Sequence, residues 1–302
     1  MTDDDLMVPG RDLQFGSGIV GVCDICGKRQ AVVILEKERF KLCVLDFLNK
    51  TWIGSKATPG RPLPPYRSER VWFETSASSS GQAQGVLLVP TKPVRHPAVL
   101  VTPDVYGLTT MNLDAGIRFA HEGYEVFLPD LGKLDGLSPR EHLALRADVL
   151  FRGGVHLASP RVHKLVALYL DALAFLRARP MVDPQKVAVF GASYGGSLAV
   201  GVAGEDRGLS ALVLAFPMPV VPTEYTRLIN APVLLLAGEK DPRAARARTQ
   251  LDGGPAPTSG APVVRIYPGA RHLFLAREDS AYDLPSAEAA WSEALSFLKE
   301  KL

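Results

Sequence analysis

The chain has 302 residues, of which 47% are hydrophobic and 22% charged, and its formal net charge at pH 7 is +2. Such a composition is typical of a globular protein with a full core. A net charge near zero argues against nucleic acid as the main partner, because phosphate binding needs a concentrated basic face. No apolar run reaches the roughly 18 residues of a membrane span, and the N-terminus lacks a signal-peptide pattern. We therefore expect a cytoplasmic protein that binds neither nucleic acid nor membranes.

Composition divides the chain into three parts. Residues 1–51 contain all three cysteines, and residues 52–69 are rich in proline and glycine. The second part is typical of a linker or extended arm. Residues 70–302 alternate short apolar segments with helical patterns, and we predict that they form the main domain.

The predicted elements of this main domain alternate along the chain. Strands are predicted at 70–75, 85–89, 98–102, 125–128, 187–190, 211–215, 233–237 and 263–267, and helices at 113–122, within 140–179, at 197–204 and at 287–302. Short apolar strands that alternate with helices predict an α/β fold whose mostly parallel sheet is covered on both faces. Ligands of such sheets bind at the carboxyl ends of the strands.

The segment Gly191-Ala192-Ser193-Tyr194-Gly195 matches the pattern G-x-S-x-G. In a nucleophile elbow, the serine occupies a strained turn between a strand and a helix, and the glycines allow close packing around it. An apolar strand precedes the motif and a helix of small residues follows it, as an elbow requires. The alternative is a glycine-rich connection with a buried serine. We predict that Ser193 is a nucleophile.

The candidate base and acid also follow predicted strands. His272 lies just after the strand 263–267, and Asp241 lies shortly after the strand 233–237. The order Ser, Asp, His is that of α/β-hydrolases, in which the imidazole accepts the serine proton and the carboxylate orients the imidazole. Glu239 is a second candidate for the acid, and Asp241 could instead be a turn residue before proline.

An oxyanion hole needs donors aimed at the developing negative charge. One predicted donor is the backbone N–H of Tyr194, the residue after the nucleophile. The other is the N–H of Val105, in the loop Pro103-Asp104-Val105-Tyr106-Gly107 that follows a strand.

From about residue 70 onward, the chain resembles the dienelactone hydrolase family. The resemblance rests on PDVYG at 103–107, EGYEVFLPDL at 122–131, VAVFGASYGG at 187–196, APVLLLAGEKDP at 231–242, YPGARHLF at 267–274 and AEAAW at 287–291. It implies an α/β-hydrolase fold and cleavage of small-molecule esters or lactones without a catalytic cofactor.

The chain departs from the family pattern at two positions. The family nucleophile is typically cysteine, whereas this chain has Ser193, and a gating glutamate near the oxyanion loop corresponds to Asp104. Asp104 either hydrogen-bonds near Ser193 or caps the following turn. The family also binds a substrate carboxylate through an arginine after the histidine. Arg277 lies close to that position, and Tyr106 is a second candidate for substrate contact.

The N-terminal part contains a pattern typical of zinc ligands. Cys23 and Cys26 are followed, after a stretch that resembles a β-hairpin (31–42), by Cys43 and Asp46. Two ligand pairs at this spacing fit a tetrahedral structural Zn²⁺ site of a zinc ribbon or treble clef, with aspartate as an uncommon fourth ligand. The alternative is a degenerate knuckle without metal. This part could dock on the main domain, cover the mouth of its active site or contact other copies in a homo-oligomer.

Three functions are compatible with these patterns. The favoured one is hydrolysis of carboxylic esters or lactones through an acyl-enzyme. The second is a serine peptidase or acyltransferase with the same residues, because fold alone does not select the chemistry. The third is a non-catalytic interaction protein that binds zinc.

Overall fold

A computed structural model describes residues 65–103, 107–130, 154–252, 260–277 and 279–302, together with the backbone of short strands between residues 13 and 42. Among these short strands, β1 (Leu13–Phe15), β4 (Val33–Leu35) and β5 (Phe40–Leu42) form an antiparallel sheet with β4 in the middle. β2 (Gly21–Val22) pairs antiparallel with β3 (Gln30–Ala31). The predicted hairpin at 31–42 is present as β4 and β5.

The main domain is built on a sheet of eight strands within the described residues. The strands are β6 (Tyr66–Glu74), β7 (Gln82–Pro90), β8 (His96–Thr102), β9 (Glu125–Pro129), β11 (Val182–Ala192), β12 (Ala211–Ala215), β14 (Val233–Gly238) and β15 (Val263–Tyr267). Their order in the sheet is β15-β14-β12-β11-β8-β9-β7-β6, and all pairs from β15 to β9 are parallel. β7 is antiparallel to both of its neighbours, β9 and β6.

Helices cover both faces of this sheet. They are α1 (Thr110–His121), α2 (Pro160–Arg177), α3 (Ser193–Glu205), α4 (Pro242–Asp252) and α5 (Leu284–Lys301), with a 3₁₀ helix at Thr223–Leu228. A further parallel pair joins β10 (Val155–His156) to β13 (Val220–Val221). Helices α1 and α5 pack on one face, and α2 and α3 pack on the other.

The two faces follow from the alternation of side chains along each strand. In β8, Val99 and Val101 join the core beneath α1 and α5, whereas Ala98 and Leu100 join the core beneath α2 and α3. The central positions of β8 are buried on both faces of the sheet, which explains the continuous apolar run at 98–101. The predicted parallel sheet with helices on both faces is therefore confirmed.

The predicted boundaries differ from the observed ones in places. β6 begins at Tyr66, four residues before the predicted start of the main domain, so the end of the predicted linker belongs to the sheet. α1 begins at Thr110 because Thr109 caps it reciprocally with Asn112, a capping box that hydrophobic periodicity alone does not reveal. The part of the predicted helical segment that precedes residue 154 lies outside the described residues. No helix in the described part of the chain is long and apolar enough to span a membrane.

Candidate active site

The predicted nucleophile, acid and base all lie at one edge of the sheet. Ser193 follows β11 directly, Asp241 follows β14, and His272 lies in a turn after β15. These three strands are parallel, so their carboxyl ends meet at the same edge. Ser193 and His272, which are 79 positions apart along the chain, come into hydrogen-bonding contact there, as do His272 and Asp241, which are 31 positions apart.

The three side chains form a continuous hydrogen-bonded chain. The Oγ of Ser193 lies 3.0 Å from Nε2 of His272, and Nδ1 of His272 lies 2.6 Å from Oδ2 of Asp241. A carboxylate only accepts hydrogen bonds, so Nδ1 carries a proton. In the neutral ring Nε2 is then an acceptor for the serine hydroxyl. This tautomer is the one that a general base requires.

Asp241 is held in its ionised form. The residue is 1% exposed, and its burial alone would raise the pKa of the carboxyl. The hydrogen bond and charge of His272, together with the backbone N–H groups of Arg243 and Ala244, outweigh burial and lower the pKa of Asp241 below its usual value. The alternative acid, Glu239, is exposed and accepts a hydrogen bond from the backbone N–H of Gly269 at 2.8 Å. The structure thus brings Asp241, and not Glu239, to the imidazole.

The turn at Ser193 has the strain expected of an elbow. Ser193 has φ +52°, a left-handed backbone conformation that residues other than glycine rarely adopt. A Cβ atom on Gly195 would lie 2.1 Å from the carbonyl oxygen of Thr102, and one on Gly191 would lie 2.5 Å from the Thr102 hydroxyl. The two glycines of the motif are therefore required by close packing against the end of β8.

The loops that carry Asp241 and His272 are bonded to each other through their backbones. The N–H of Glu239 donates to the carbonyl of Tyr267 at 3.0 Å, and the N–H of Lys240 donates to the carbonyl of Ala270 at 2.9 Å. A Cβ on Gly238 would lie 2.5 Å from the carbonyl oxygen of Ala270. The two loops therefore act as one unit that sets the separation between carboxylate and imidazole.

Two further strained residues lie beside His272. Leu273 has φ +66° and Phe216, which follows β12, has φ +37°. The Phe216 ring contacts the imidazole edge-on, with the centroids 5.2 Å apart. Phe216 was not among the predicted site residues, and no local signal marks it, because a phenylalanine at a strand end is ordinary.

Comparison with known proteins identifies the family. The model of the dienelactone hydrolase family matches residues 83–302. The chain belongs to the dienelactone hydrolase family. It is therefore a hydrolase of carboxylic esters or lactones, which are small-molecule substrates.

Individual relatives are distant but cover most of the chain. "Protein usf" of Aquifex pyrophilus is 28% identical over 68% of this chain and 89% of its own length. "Probable 2-oxo-3-(5-oxofuran-2-ylidene)propanoate lactonase" of Bradyrhizobium is 24% identical over 68% of this chain and 84% of its own length. The crystal structure of dienelactone hydrolase from Anabaena variabilis superposes with a TM-score of 0.58 at 21% identity, over 79% of this chain and 99% of that one. The fold is thus the predicted α/β-hydrolase fold.

The predicted oxyanion donors of this dienelactone hydrolase family member are described only in part. Tyr194 is buried and is the second residue of α3, whose first-turn N–H groups point out of the helix end. Val105, Asp104 and Tyr106 lie outside the described residues, and their roles stay predictions. The chain is described up to Pro103 on one side of this loop.

Arg277, the candidate for binding a substrate carboxylate, lies among carboxylates of the protein itself. Its side chain is 7% exposed, with Nε 3.8 Å from Oδ2 of Asp114 and Nη2 3.9 Å from Oε1 of Glu288. Its guanidinium also lies over the ring of Tyr282, 5.8 Å from the centroid. Asp114 and Glu288 thus already compensate the positive charge of Arg277. A role of Arg277 in substrate binding stays a prediction.

The predicted zinc ligands Cys23, Cys26, Cys43 and Asp46 lie outside the described residues. Within the described part of the chain, no group of three or more His, Cys, Asp or Glu side chains is placed to hold a metal ion.

Proposed function

We propose that this member of the dienelactone hydrolase family is a serine esterase or lactonase in which Ser193 is the nucleophile, His272 the base and Asp241 the orienting acid. The observation that carries the proposal is the continuous chain of hydrogen bonds from the serine hydroxyl through the imidazole to a buried carboxylate. The strained conformation of Ser193 gives independent support, because such strain persists where function requires it.

In the acylation step, His272 Nε2 accepts the hydroxyl proton while Ser193 Oγ bonds to the carbonyl carbon of the substrate. The carbonyl π electrons move to the oxygen, and the N–H groups of Tyr194 and Val105 would stabilise this oxyanion. When the oxyanion collapses, the bond to the leaving oxygen breaks. His272 gives its proton to that oxygen, which leaves as an alcohol or as the hydroxyl of an opened lactone.

In deacylation water takes the place of the serine as the nucleophile, and Ser193 Oγ becomes the leaving group. His272 takes one proton from water, the hydroxide bonds to the acyl carbon, and the bond to Ser193 Oγ breaks as the serine regains a proton. The products are a carboxylic acid and an alcohol, or one hydroxy acid from a lactone. A serine depends on its base more than a cysteine does, because a hydroxyl ionises far less readily than a thiol. The short contacts of His272 on both sides fit that demand.

The test is hydrolysis of p-nitrophenyl esters of increasing chain length, and of a simple aryl lactone, by the wild type and by Ser193→Ala. We expect the wild type to hydrolyse at least one of them and the variant to lose that activity. A fluorophosphonate probe should label the wild type at Ser193 and leave the variant unlabelled. Full activity in Ser193→Ala would refute the proposal, and cleavage of peptide amides in preference to esters would favour the peptidase alternative.

We further propose that the N-terminal part binds a structural zinc ion through Cys23, Cys26, Cys43 and Asp46. The support is the spacing of the two ligand pairs and the arrangement of the strands between which they fall. The first pair falls between the paired strands β2 and β3, and Cys43 directly follows β5 in the sequence. β5 in turn lies beside both β2 and β3. Such a small unit has little core, and a metal would stabilise it.

A further inference from the structure

The two predicted oxyanion donors belong to different parts of the chain. Tyr194 lies in the first turn of α3, whereas the second donor lies in the loop that begins after β8. Donors stabilise an oxyanion only when both lie close to hydrogen-bonding distance from it. Something must therefore set the separation between the start of α3 and the end of β8.

Thr102, the last residue of β8, bonds directly to the start of α3. Its hydroxyl is fully buried and lies 2.8 Å from the carbonyl oxygen of Gly195 and 3.2 Å from that of Phe190. Gly195 is the residue after Tyr194, so this bond fixes the helical turn that presents the Tyr194 N–H. The contact is tight, because a Cβ on Gly195 would also lie 3.0 Å from the carbonyl oxygen of Pro103.

Tyr169 holds the next residue of the same segment. It lies on α2 and is fully buried, and its hydroxyl donates to the carbonyl oxygen of Pro103 at 3.2 Å. Its ring belongs to the core beneath α2 and α3, which leaves the hydroxyl little freedom to move. The Pro103 carbonyl begins the loop that leads to the predicted donor Val105.

We propose that Tyr169 and Thr102 are positioning residues that together set the separation of the two oxyanion donors. Thr102 fixes the start of α3 against β8, and Tyr169 fixes the first peptide of the following loop against the core. Neither side chain is required to touch the substrate. The inference rests on the proposed serine mechanism, because it concerns the charge that develops in that mechanism.

The first test is Tyr169→Phe, which removes the hydroxyl and keeps the ring. Removal of one oxyanion donor typically lowers kcat by about 10²–10³, so we expect a displaced donor to lower kcat by about tenfold. KM for a p-nitrophenyl ester should change by less than about threefold, because the ground state makes little use of these donors. The affinity for an aryl boronic acid, which forms a tetrahedral adduct with serine, should fall in parallel with kcat.

Tyr124→Phe is the matched control for this variant. Tyr124 is also buried, but it directly precedes β9 and so lies at the amino ends of the parallel strands, away from the proposed active site. We expect its kcat and boronic acid affinity to stay within about twofold of the wild type. Equal losses in both variants would overturn the inference, since they would reflect general loosening of the core. Wild-type kcat and wild-type boronic acid affinity in Tyr169→Phe would also overturn it.

A second pair of variants tests Thr102 and does not depend on the first result. Thr102→Val keeps the shape and removes the hydroxyl, whereas Thr102→Ser keeps the hydroxyl. We expect Thr102→Val to lose kcat and boronic acid affinity together, and Thr102→Ser to recover most of both. Equal behaviour of the two would overturn the role of Thr102. Failure of the serine mechanism itself is recognised separately, because Ser193→Ala would then keep the wild-type activity.

Discussion

The ring of Phe216 packs edge-on against the imidazole of His272, with an interplanar angle of 68° and the centroids 5.2 Å apart. Phe216 adopts φ +37° in doing so, a conformation that costs an ordinary side chain on the order of 1–3 kcal/mol. The backbone N–H of Phe216 donates to the carbonyl oxygen of Leu236 in the neighbouring strand β14, and this bond holds Phe216 in place. The strained residue thus lies directly against the ring of the proposed base.

Phe216→Leu should therefore reduce catalysis more than binding. Leucine lacks the flat ring edge against the imidazole, so His272 gains freedom to leave the line between Ser193 and Asp241. We expect kcat for a p-nitrophenyl ester to fall by roughly tenfold with little change in KM. Phe119→Leu is the matched control, because Phe119 is fully buried in the same core but packs against Phe190 and Trp291. Equal losses of kcat in both variants would contradict a specific effect on the imidazole.

Asp241→Asn tests the assignment of the acid. The amide keeps the shape of the carboxylate but removes its charge and stabilises the wrong imidazole tautomer. We expect kcat to fall by about 10³–10⁴. Glu239→Gln should retain activity within about threefold, because Glu239 bonds to the Gly269 N–H and not to His272. The reverse ranking in steady-state kinetics would assign the acid to Glu239.

Gly238→Ala tests the packing between the two loops. The new methyl group would lie 2.5 Å from the carbonyl oxygen of Ala270, so the His272 loop must shift. We expect a loss of about 1–3 kcal/mol in the free energy of unfolding and a lower kcat, measured by urea unfolding and ester hydrolysis. At Gly208 the nearest atom to a new Cβ is 3.6 Å away, an ordinary contact. If Gly208→Ala were as damaging as Gly238→Ala, close loop packing would not be the cause.

Stability should decrease as the pH falls from about 6.5 towards 4, in part because of His121. Burial lowers the pKa of His121 from 6.5 to about 4 in the folded state. Between these two pKa values the unfolded chain binds more protons than the folded one. The stabilisation that neutral His121 contributes is therefore complete above the unfolded pKa, and it is lost as the pH falls through the folded pKa. We expect the free energy of unfolding to drop by about 1–2 kcal/mol from this group after allowance for solvent screening.

The measurement is urea unfolding at several pH values for the wild type and for His121→Phe. The variant cannot titrate at this position, so its stability should depend less steeply on pH. His163→Gln serves as the control, since that side chain is 61% exposed. An identical pH dependence for the wild type and His121→Phe would show that other groups account for the acid sensitivity.

The purified wild type should contain one zinc ion per chain by elemental analysis. Cys26→Ser and Cys43→Ser should lose it, because a structural site needs its thiolate ligands. Ser193→Ala should keep the full zinc content. A wild type that neither carries zinc when purified nor takes it up in titration would leave the N-terminal part as a degenerate knuckle without metal.

The sequence determined those features that depend on neighbours along the chain. Apolar runs marked the strands of the sheet, and β12 and β15 were predicted at their observed bounds. Their positions shortly after predicted strands marked Ser193, Asp241 and His272 as candidates. Because the carboxyl ends of parallel strands lie at one edge of the sheet, the sequence predicted that these three residues would lie at the same edge.

Tertiary structure decided the contacts that hold those residues in place. The bond from Tyr169 to Pro103 joins positions 66 residues apart, and the bond from Thr102 to Gly195 joins positions 93 residues apart. Likewise, only folding shows that Glu239 turns to Gly269 while Asp241 reaches the imidazole. No local pattern encodes such pairs, because a buried hydroxyl or ring finds its partner through the packing of whole helices on the sheet.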